Sequence, residues 1–342
     1  SSSSSSSSSN KHSEINGAPP SLASNTKPKL FICNDRGRVL PIIQGGIRKG
    51  GSSTFWHDVE PAVWGTSKCR SKPGIACKEP MTPLNIQSGT SYDSLWGNCS
   101  DPQPGVALDF STSTFMSPGS PSRVKEEYKQ KYQEVIFLLG LRDPVNRTVS
   151  NYYFTAHRHP DQWPVVNFPE SVNTLLRQWS ENPGAVWKQL SDMKRPRRDV
   201  LQSFPSFYYR HFRNWLDSGF LPSQMVVYPG EVYFKHRDDF DTNPVLQALR
   251  DRIGQSTFRL QHTWRNEKVW NPGPPKEIYG DDPSLVEAAK SRLENEIFAA
   301  ENKKLFELLA EQVGKGMTLV DYTGKANDVE AVEKWMTSGW HY

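Results

Sequence analysis

The stretch Pro41-Ile42-Ile43-Gln44-Gly45-Gly46-Ile47-Arg48-Lys49-Gly50-Gly51-Ser52-Ser53-Thr54 decides how the rest of the chain is read. An apolar run, Val39 to Ile43, leads into it and reads as a buried strand. A Gly-rich, basic turn follows, and Ser52-Ser53-Thr54-Phe55-Trp56 opens a helix. Such a turn offers backbone N–H groups, a helix N-terminus and cationic side chains to one anion. Its glycines let the backbone approach a ligand where a Cβ would intervene. The triphosphate-cradling pattern G-x-x-x-x-G-K-[ST] is met only in part. Gly45 to Gly50 has its spacing, but Gly51 stands where the lysine belongs, and the lysine comes earlier, at Lys49. The loop therefore suits a nucleotide whose 5′ group is not a triphosphate. The plainer alternative is a strand–helix turn carrying basic residues by chance.

Around this stretch, apolar runs alternate with helical patterns. Ser1 to Ser9 is a homopolymer, and residues 1–29 read as a low-complexity, disordered tail or stem. Residues 30–342 read as one α/β domain. Residues 60–105 show no sustained period and read as long loops with short strands. Val106–Asp109, Val135–Leu141 and Gln224–Tyr228 are strand candidates. The second is apolar throughout, the pattern of a strand covered on both faces. Helices are expected over Ser122–Tyr132, Pro144–Ala156, 171–180, 184–193, 205–217, Asn243–Ile253 and Ser284–Val313, the last in one piece or two. Asp282-Pro283-Ser284 supplies its start and Gly314 its stop. The fold class is α/β: a three-layer α/β/α arrangement with a central, mostly parallel sheet and a P-loop-like phosphate-binding turn. Crossover handedness then gathers the loops after the strands on one edge, so the Arg48-Lys49 loop and the Arg142-Asp143-Pro144 turn can share a site.

Composition narrows the function classes. The 342 residues carry a formal net charge of only +4, which does not argue for general nucleic-acid binding. Mean hydropathy is −0.66, and no apolar run is long enough to cross a membrane, so no span is expected within this chain. The chain begins without Met; a removed anchor would fit the Golgi lumen, and otherwise the cytoplasm is expected. The sequence leaves the oligomeric state open. None of the four cysteines, Cys33, Cys69, Cys77 and Cys99, forms a C-x-x-C pair, so a zinc site is not expected. Cys69 and Cys77 can pair in an oxidising compartment; the alternative is four ordinary thiols. Asn98-Cys99-Ser100 and Asn146-Arg147-Thr148 both fit the N-glycosylation pattern, the second as a coincidence within a functional motif.

The second chemistry-bearing segment is Leu141-Arg142-Asp143-Pro144-Val145-Asn146-Arg147-Thr148-Val149-Ser150-Asn151-Tyr152. Arg142 leaves the end of a buried strand, and Ser150 follows two turns into a helix. A guanidinium offers a donor fork matched to a phosphate, and a hydroxyl can complete it. Asp143 after an apolar strand reads either as a metal-holding Walker B carboxylate, which the missing Walker lysine undercuts, or as a helix cap, with Arg147 in a surface salt bridge. His157-Arg158-His159 is too short of further ligands for a metal cluster and reads as a loop lining. Lys194-Arg195-Pro196-Arg197-Arg198 can bind an anionic glycan or be a solvated loop. Tyr208-Tyr209-Arg210-His211-Phe212 with Trp215 reads as a helix packing face.

Taken together, the two phosphate-suited segments resemble the sulfotransferases that use 3′-phosphoadenosine 5′-phosphosulfate (PAPS), in particular the heparan-sulfate and related carbohydrate branch. The segment from Ile47 to Ser53 is similar to that family's 5′-phosphosulfate loop, and the segment from Arg142 to Tyr152 to its 3′-phosphate motif. Glu301 to Leu309 resembles its closing helix. The resemblance implies that Arg48, Lys49, Gly50, Gly51, Ser52, Ser53, Thr54, Arg142 and Ser150 hold the cofactor. It implies that Lys49 stabilises the leaving oxygen. Ala76-Cys77-Lys78-Glu79-Pro80 is similar to a Lys-Glu-Pro segment whose glutamate acts as general base, which makes Glu79 the candidate here. Asp109 to Phe115 matches an acceptor-contacting segment imperfectly, since Phe110 and Thr112 replace a lysine and a proline. Asp109, Ser111, His157 and Arg158 are the acceptor-side candidates. The family's late Cys-bracketed loop is missing, which argues against heparan sulfate itself. The implied activity is sulfuryl transfer from PAPS, with no metal, to a carbohydrate hydroxyl or else a small-molecule hydroxyl or amine. The rival classes are a P-loop kinase or NTPase and a non-catalytic glycan-binding protein on the same fold.

Overall fold

The structure, a computed structural model, describes residues 31–45, 55, 63–64, 96, 98–100, 106–158, 167–192, 204–237, 239, 241–253 and 281–340. Its centre is a six-stranded sheet built from β3 (Ile43–Gly45), β4 (Val63–Trp64), β5 (Val106–Asp109), β6 (Ile136–Leu141), β7 (Met225–Pro229) and β8 (Thr318–Leu319). The strand order is β4-β5-β3-β6-β7-β8, and every neighbouring pair is parallel. All six residues of β6 are buried, as its unbroken apolar run requires when helices cover both faces. This is the parallel α/β arrangement that the alternating pattern predicts.

The apolar run Val39 to Ile43 is not one strand. β1 (Ile32–Cys33) and β2 (Val39–Leu40) form a separate antiparallel hairpin, and the main sheet starts only after Pro41. Pro41 has no N–H to give to a ladder, which breaks the run at that point. Its carbonyl instead accepts a hydrogen bond from the Tyr128 hydroxyl at 2.8 Å. Ile42 then joins the sheet: its N–H donates to Ala107 and its carbonyl accepts from Ile136.

The hairpin is stapled to a distant segment. Cys33 is disulfide-bonded to Cys99 across a sequence separation of 66, so the alternative of four free thiols does not hold. The Cys99 N–H donates to Gly37, which has φ +68, a left-handed conformation that glycine adopts without steric cost. Arg38 donates to the Asn98 side chain at 2.7 Å. Cys69 and Cys77 lie outside the described residues.

The helices are α1 (Ser120–Tyr128), α2 (Pro144–Arg158), α3 (Phe168–Glu181), α4 (Pro183–Asp192), α5 (Tyr208–Asp217), α6 (Gly230–Lys235), α7 (Pro244–Ile253), α8 (Pro283–Leu293), α9 (Ala299–Val313) and α10 (Val329–Ser338). A π-helical turn, Glu294–Phe298, joins α8 to α9, so the expected Ser284–Val313 segment is two helices running on through a widened turn. Asp282 caps α8, its carboxylate accepting from the Ser284 N–H at 2.8 Å. Of the expected α5 packing face, Tyr208, His211, Phe212 and Trp215 are buried, whereas Tyr209 and Arg210 are only half-buried. Two apolar cores result. One surrounds the sheet; the other holds α2, α3, α4 and α8 together through Val149, Tyr152, Leu175, Val186 and Leu293. Among the described residues no helix is long and apolar enough to cross a membrane.

Candidate anion-binding site

The winding of the sheet reverses at β3. From β3 the chain moves to β4 and β5 on one side, then crosses to β6, β7 and β8 on the other. In open parallel sheets, ligands bind outside the carboxyl ends of the strands at such a reversal. β3 and β6 are hydrogen-bonded neighbours, Gly45 lying opposite Leu138. The carboxyl ends of β3 and β6 therefore lie side by side at one edge, and these are the two strands that the phosphate-suited segments follow in sequence.

Residues 46–54, with Arg48, Lys49, Gly50, Gly51, Ser52, Ser53 and Thr54, lie outside the described residues, as does Glu79. Both flanks of that loop are held. A Cβ on Gly45 would run into the Phe110 ring, so this position needs glycine while Phe110 is there. Phe55 is helical and stacks on the same ring, with centroids 5.0 Å apart, and meets the Tyr233 ring at a tilt, with centroids 4.8 Å apart. This gives Phe110 a physical role at the place where the resembled family carries lysine: it is buried and clamps both flanks of the loop.

Beside it, Arg142 follows β6 and is half-buried. The Tyr208 hydroxyl donates to its carbonyl at 3.0 Å, which fixes the backbone there. Its guanidinium makes no hydrogen bond or ion pair among the described residues. Asp143 is the helix cap: its carboxylate accepts from the Asn146 N–H at 2.6 Å. Arg147 is not at the surface as expected. It is fully buried and donates to the Ser206 hydroxyl at 2.5 Å. Thr148 and Ser206 both bond the Pro144 carbonyl at 2.8 Å, which locks the first turn of α2 from behind. Between Pro144 and Ala156 only Asn146, Ser150 and Phe154 are not fully buried. They are four apart and form one accessible stripe. Ser150 thus shares an accessible stripe with Asn146, one turn before it, and its hydroxyl has no partner among the described residues. Among the described residues, a guanidinium just before a 15-residue helix and a hydroxyl about two turns into it have no partner, and such donors fit an anion with several acceptor oxygens.

The remaining candidates fall elsewhere. Asp109 ends β5, is fully buried, and accepts from the Ser111 N–H at 2.7 Å; Ser111 is buried as well. Their burial suits a strand-end turn. His157 and Arg158 close the last turn of α2, at the opposite end of the helix from Arg142. No group of three metal-ligating side chains occurs among the described residues.

One residue at this edge escaped the sequence reading. Glu231 follows β7, the strand next to β6, and Leu141 lies opposite Pro229 in that ladder. It is only 8% exposed, and its Oε2 has no hydrogen-bond partner. Burial pushes its carboxyl up to about 7, against its own backbone N–H and Arg142, which favour the charged form; Asp143 adds to the rise. An acidic residue directly after an apolar strand, in Tyr228-Pro229-Gly230-Glu231, was the available signal.

Fold and site define an open parallel α/β protein with a candidate anion-binding crevice at its winding reversal. No protein-family model matches the chain, and no curated protein does. Among solved structures it is similar to a sulfotransferase from Alicyclobacillus acidocaldarius, at 17% identity and a TM-score of 0.44, over 78% of this chain and 95% of that one.

Proposed function

We propose that this chain is a sulfotransferase that moves a sulfuryl group from PAPS to a carbohydrate hydroxyl. The observation that carries the reading is the pair Arg142 and Ser150, both without a side-chain partner among the described residues, after β6, the strand next to the one that the glycine-rich basic segment follows. An adenosine 3′,5′-bisphosphate unit needs two phosphate cradles close together, and two adjacent parallel strands supply a starting point for each. In this reading Arg142 and Ser150 hold the 3′ phosphate, and the N–H groups of Gly50 to Thr54 hold the 5′ phosphate. The acceptor oxygen attacks sulfur and forms the new S–O bond. Its proton passes to Glu79. The bond from sulfur to the bridging oxygen breaks, and that oxygen keeps the electron pair, stabilised by Lys49. As in phosphoryl transfer, alignment and charge supply most of the acceleration. The Cys33–Cys99 disulfide supports an oxidising compartment such as the Golgi lumen.

The test is transfer from radiolabelled PAPS into separate glycan and small-metabolite pools, with labelled products identified by mass spectrometry. The reading expects label in the glycan pool without added metal. Label confined to metabolites overturns the carbohydrate acceptor. No transfer to either pool, together with Mg²⁺-dependent ATP turnover, overturns the sulfotransferase reading.

A further inference from the structure

At the carboxyl edge of the sheet, a nearly buried carboxyl group with an unpartnered oxygen neighbours a guanidinium that has no ion pair among the described residues. Glu231 follows β7, Arg142 follows β6, and the two strands are hydrogen-bonded along their length. We propose that Glu231 is a proton-linked element of the anion site: it takes up a proton when a phosphate dianion binds at Arg142, and in its neutral form tolerates or hydrogen-bonds that dianion. The inference rests on the reading that Arg142 and Ser150 hold a phosphate.

The physical argument concerns charge. Glu231 feels Arg142, which favours its ionised form, and Asp143, which opposes it. Asp143 is the cap of α2, its carboxylate accepting from the Asn146 N–H. Arg250, on the α7 helix that packs against α6, is turned away to the Asp241 carbonyl and Gln247. Arg142 is therefore the cation among the described residues that keeps ionised Glu231 tolerable. A bound dianion engages that guanidinium and adds negative charge nearby. Both changes favour the protonated carboxyl. Glu231 in the free protein is poised near neutrality, so the proton is taken up within an accessible pH range. A protonated carboxyl has an O–H to donate, and Oε2 has no other partner to lose.

The sign follows from linkage. If the complex binds more protons than the separate partners, affinity falls as pH rises, by at most about tenfold per pH unit for one proton. The test is calorimetric titration of the full chain with adenosine 3′,5′-bisphosphate from pH 6 to 8.5, in two buffers of different ionisation enthalpy. Wild type and Glu231→Gln are compared, so that the ligand's own phosphate titration cancels. The inference expects wild type to take up more protons than the variant above pH 7, approaching one at the maximum. Its affinity should fall correspondingly more steeply with pH. Equal proton uptake by the two proteins, with binding intact, overturns the inference and leaves the phosphate reading standing. Absence of bisphosphate binding at every pH overturns both. Should the variant not fold, wild type alone decides: uptake no greater than the free ligand's titration accounts for removes the role given to Glu231.

Discussion

At the residue scale, the phosphate reading concentrates on a few side chains with separable effects. Arg142→Ala removes a charged two-pronged donor, and Ser150→Ala a single hydroxyl donor. Bisphosphate affinity should fall by roughly 10-fold or more for the first and less for the second, since a hydrogen bond to a charged group is worth about 1.5–3 kcal/mol and the guanidinium adds a second bond and its own charge. Calorimetry reads both; an unchanged affinity for Arg142→Ala removes that residue from the site. Lys49→Ala should lower kcat far more than it weakens cofactor binding, because the leaving oxygen gains charge only in transit. Glu79→Gln should lower kcat by roughly 10²-fold or more in steady-state assays. Asp109→Asn should mainly alter KM if that residue only positions the acceptor. Glu231 adds a stability signature. Its folded-state pKa is raised, so the folded state holds this proton more tightly than the unfolded chain does. The contribution of Glu231 to stability is then fully present below about pH 4.5 and is lost as pH rises toward about 7. Chemical denaturation at pH 5 and pH 7.5 should show this loss in wild type and not in Glu231→Gln; parallel losses in both proteins would contradict the raised pKa.

At the element scale, the basic loop is set by its two flanks. Gly45→Ala forces the Phe110 ring aside, and with it the stack onto Phe55. Overpacking of this kind typically costs about 1–3 kcal/mol. The expected outcome is a lowered Tm together with weakened bisphosphate binding. A lowered Tm with normal binding would mean that the loop does not depend on this clamp. The elements also show what the sequence discloses and what it hides. β6 was legible because six consecutive buried positions leave an unbroken apolar run, and α8 because Asp282 and Pro283 mark its start. The break at Pro41 was legible in principle, since proline has no N–H to pair, yet the surrounding apolar residues outweighed it. β8 and α10 went unread: two strand residues carry no period, and their place depends on β7 and α9. The same holds for the site. Arg142 and Ser150 follow a local motif, but the burial of Arg147 and Glu231 comes from packing between segments far apart in the chain.

At the scale of the whole molecule, a sheet wound in two directions brings the carboxyl ends of β3 and β6 to one edge, and a disulfide ties a hairpin to a distant segment. Chain entropy predicts that closing a loop of this length contributes about 4 kcal/mol, with measured values commonly lower. Replacing Cys33 and Cys99 together by serine should therefore lower the denaturant midpoint clearly while leaving bisphosphate affinity near wild type, because the hairpin is not part of the crevice. An equal loss of affinity would tie the hairpin to the site. The central claim is that the winding reversal between β3 and β6 holds the two phosphates of one nucleotide. It is tested most directly by calorimetric comparison of adenosine 3′,5′-bisphosphate with adenosine 5′-phosphate at pH 6.5. The account predicts that the bisphosphate binds at least about tenfold more tightly, the difference being the charge-assisted contacts at Arg142. Equal affinities for the two nucleotides, or no binding of either, would contradict it.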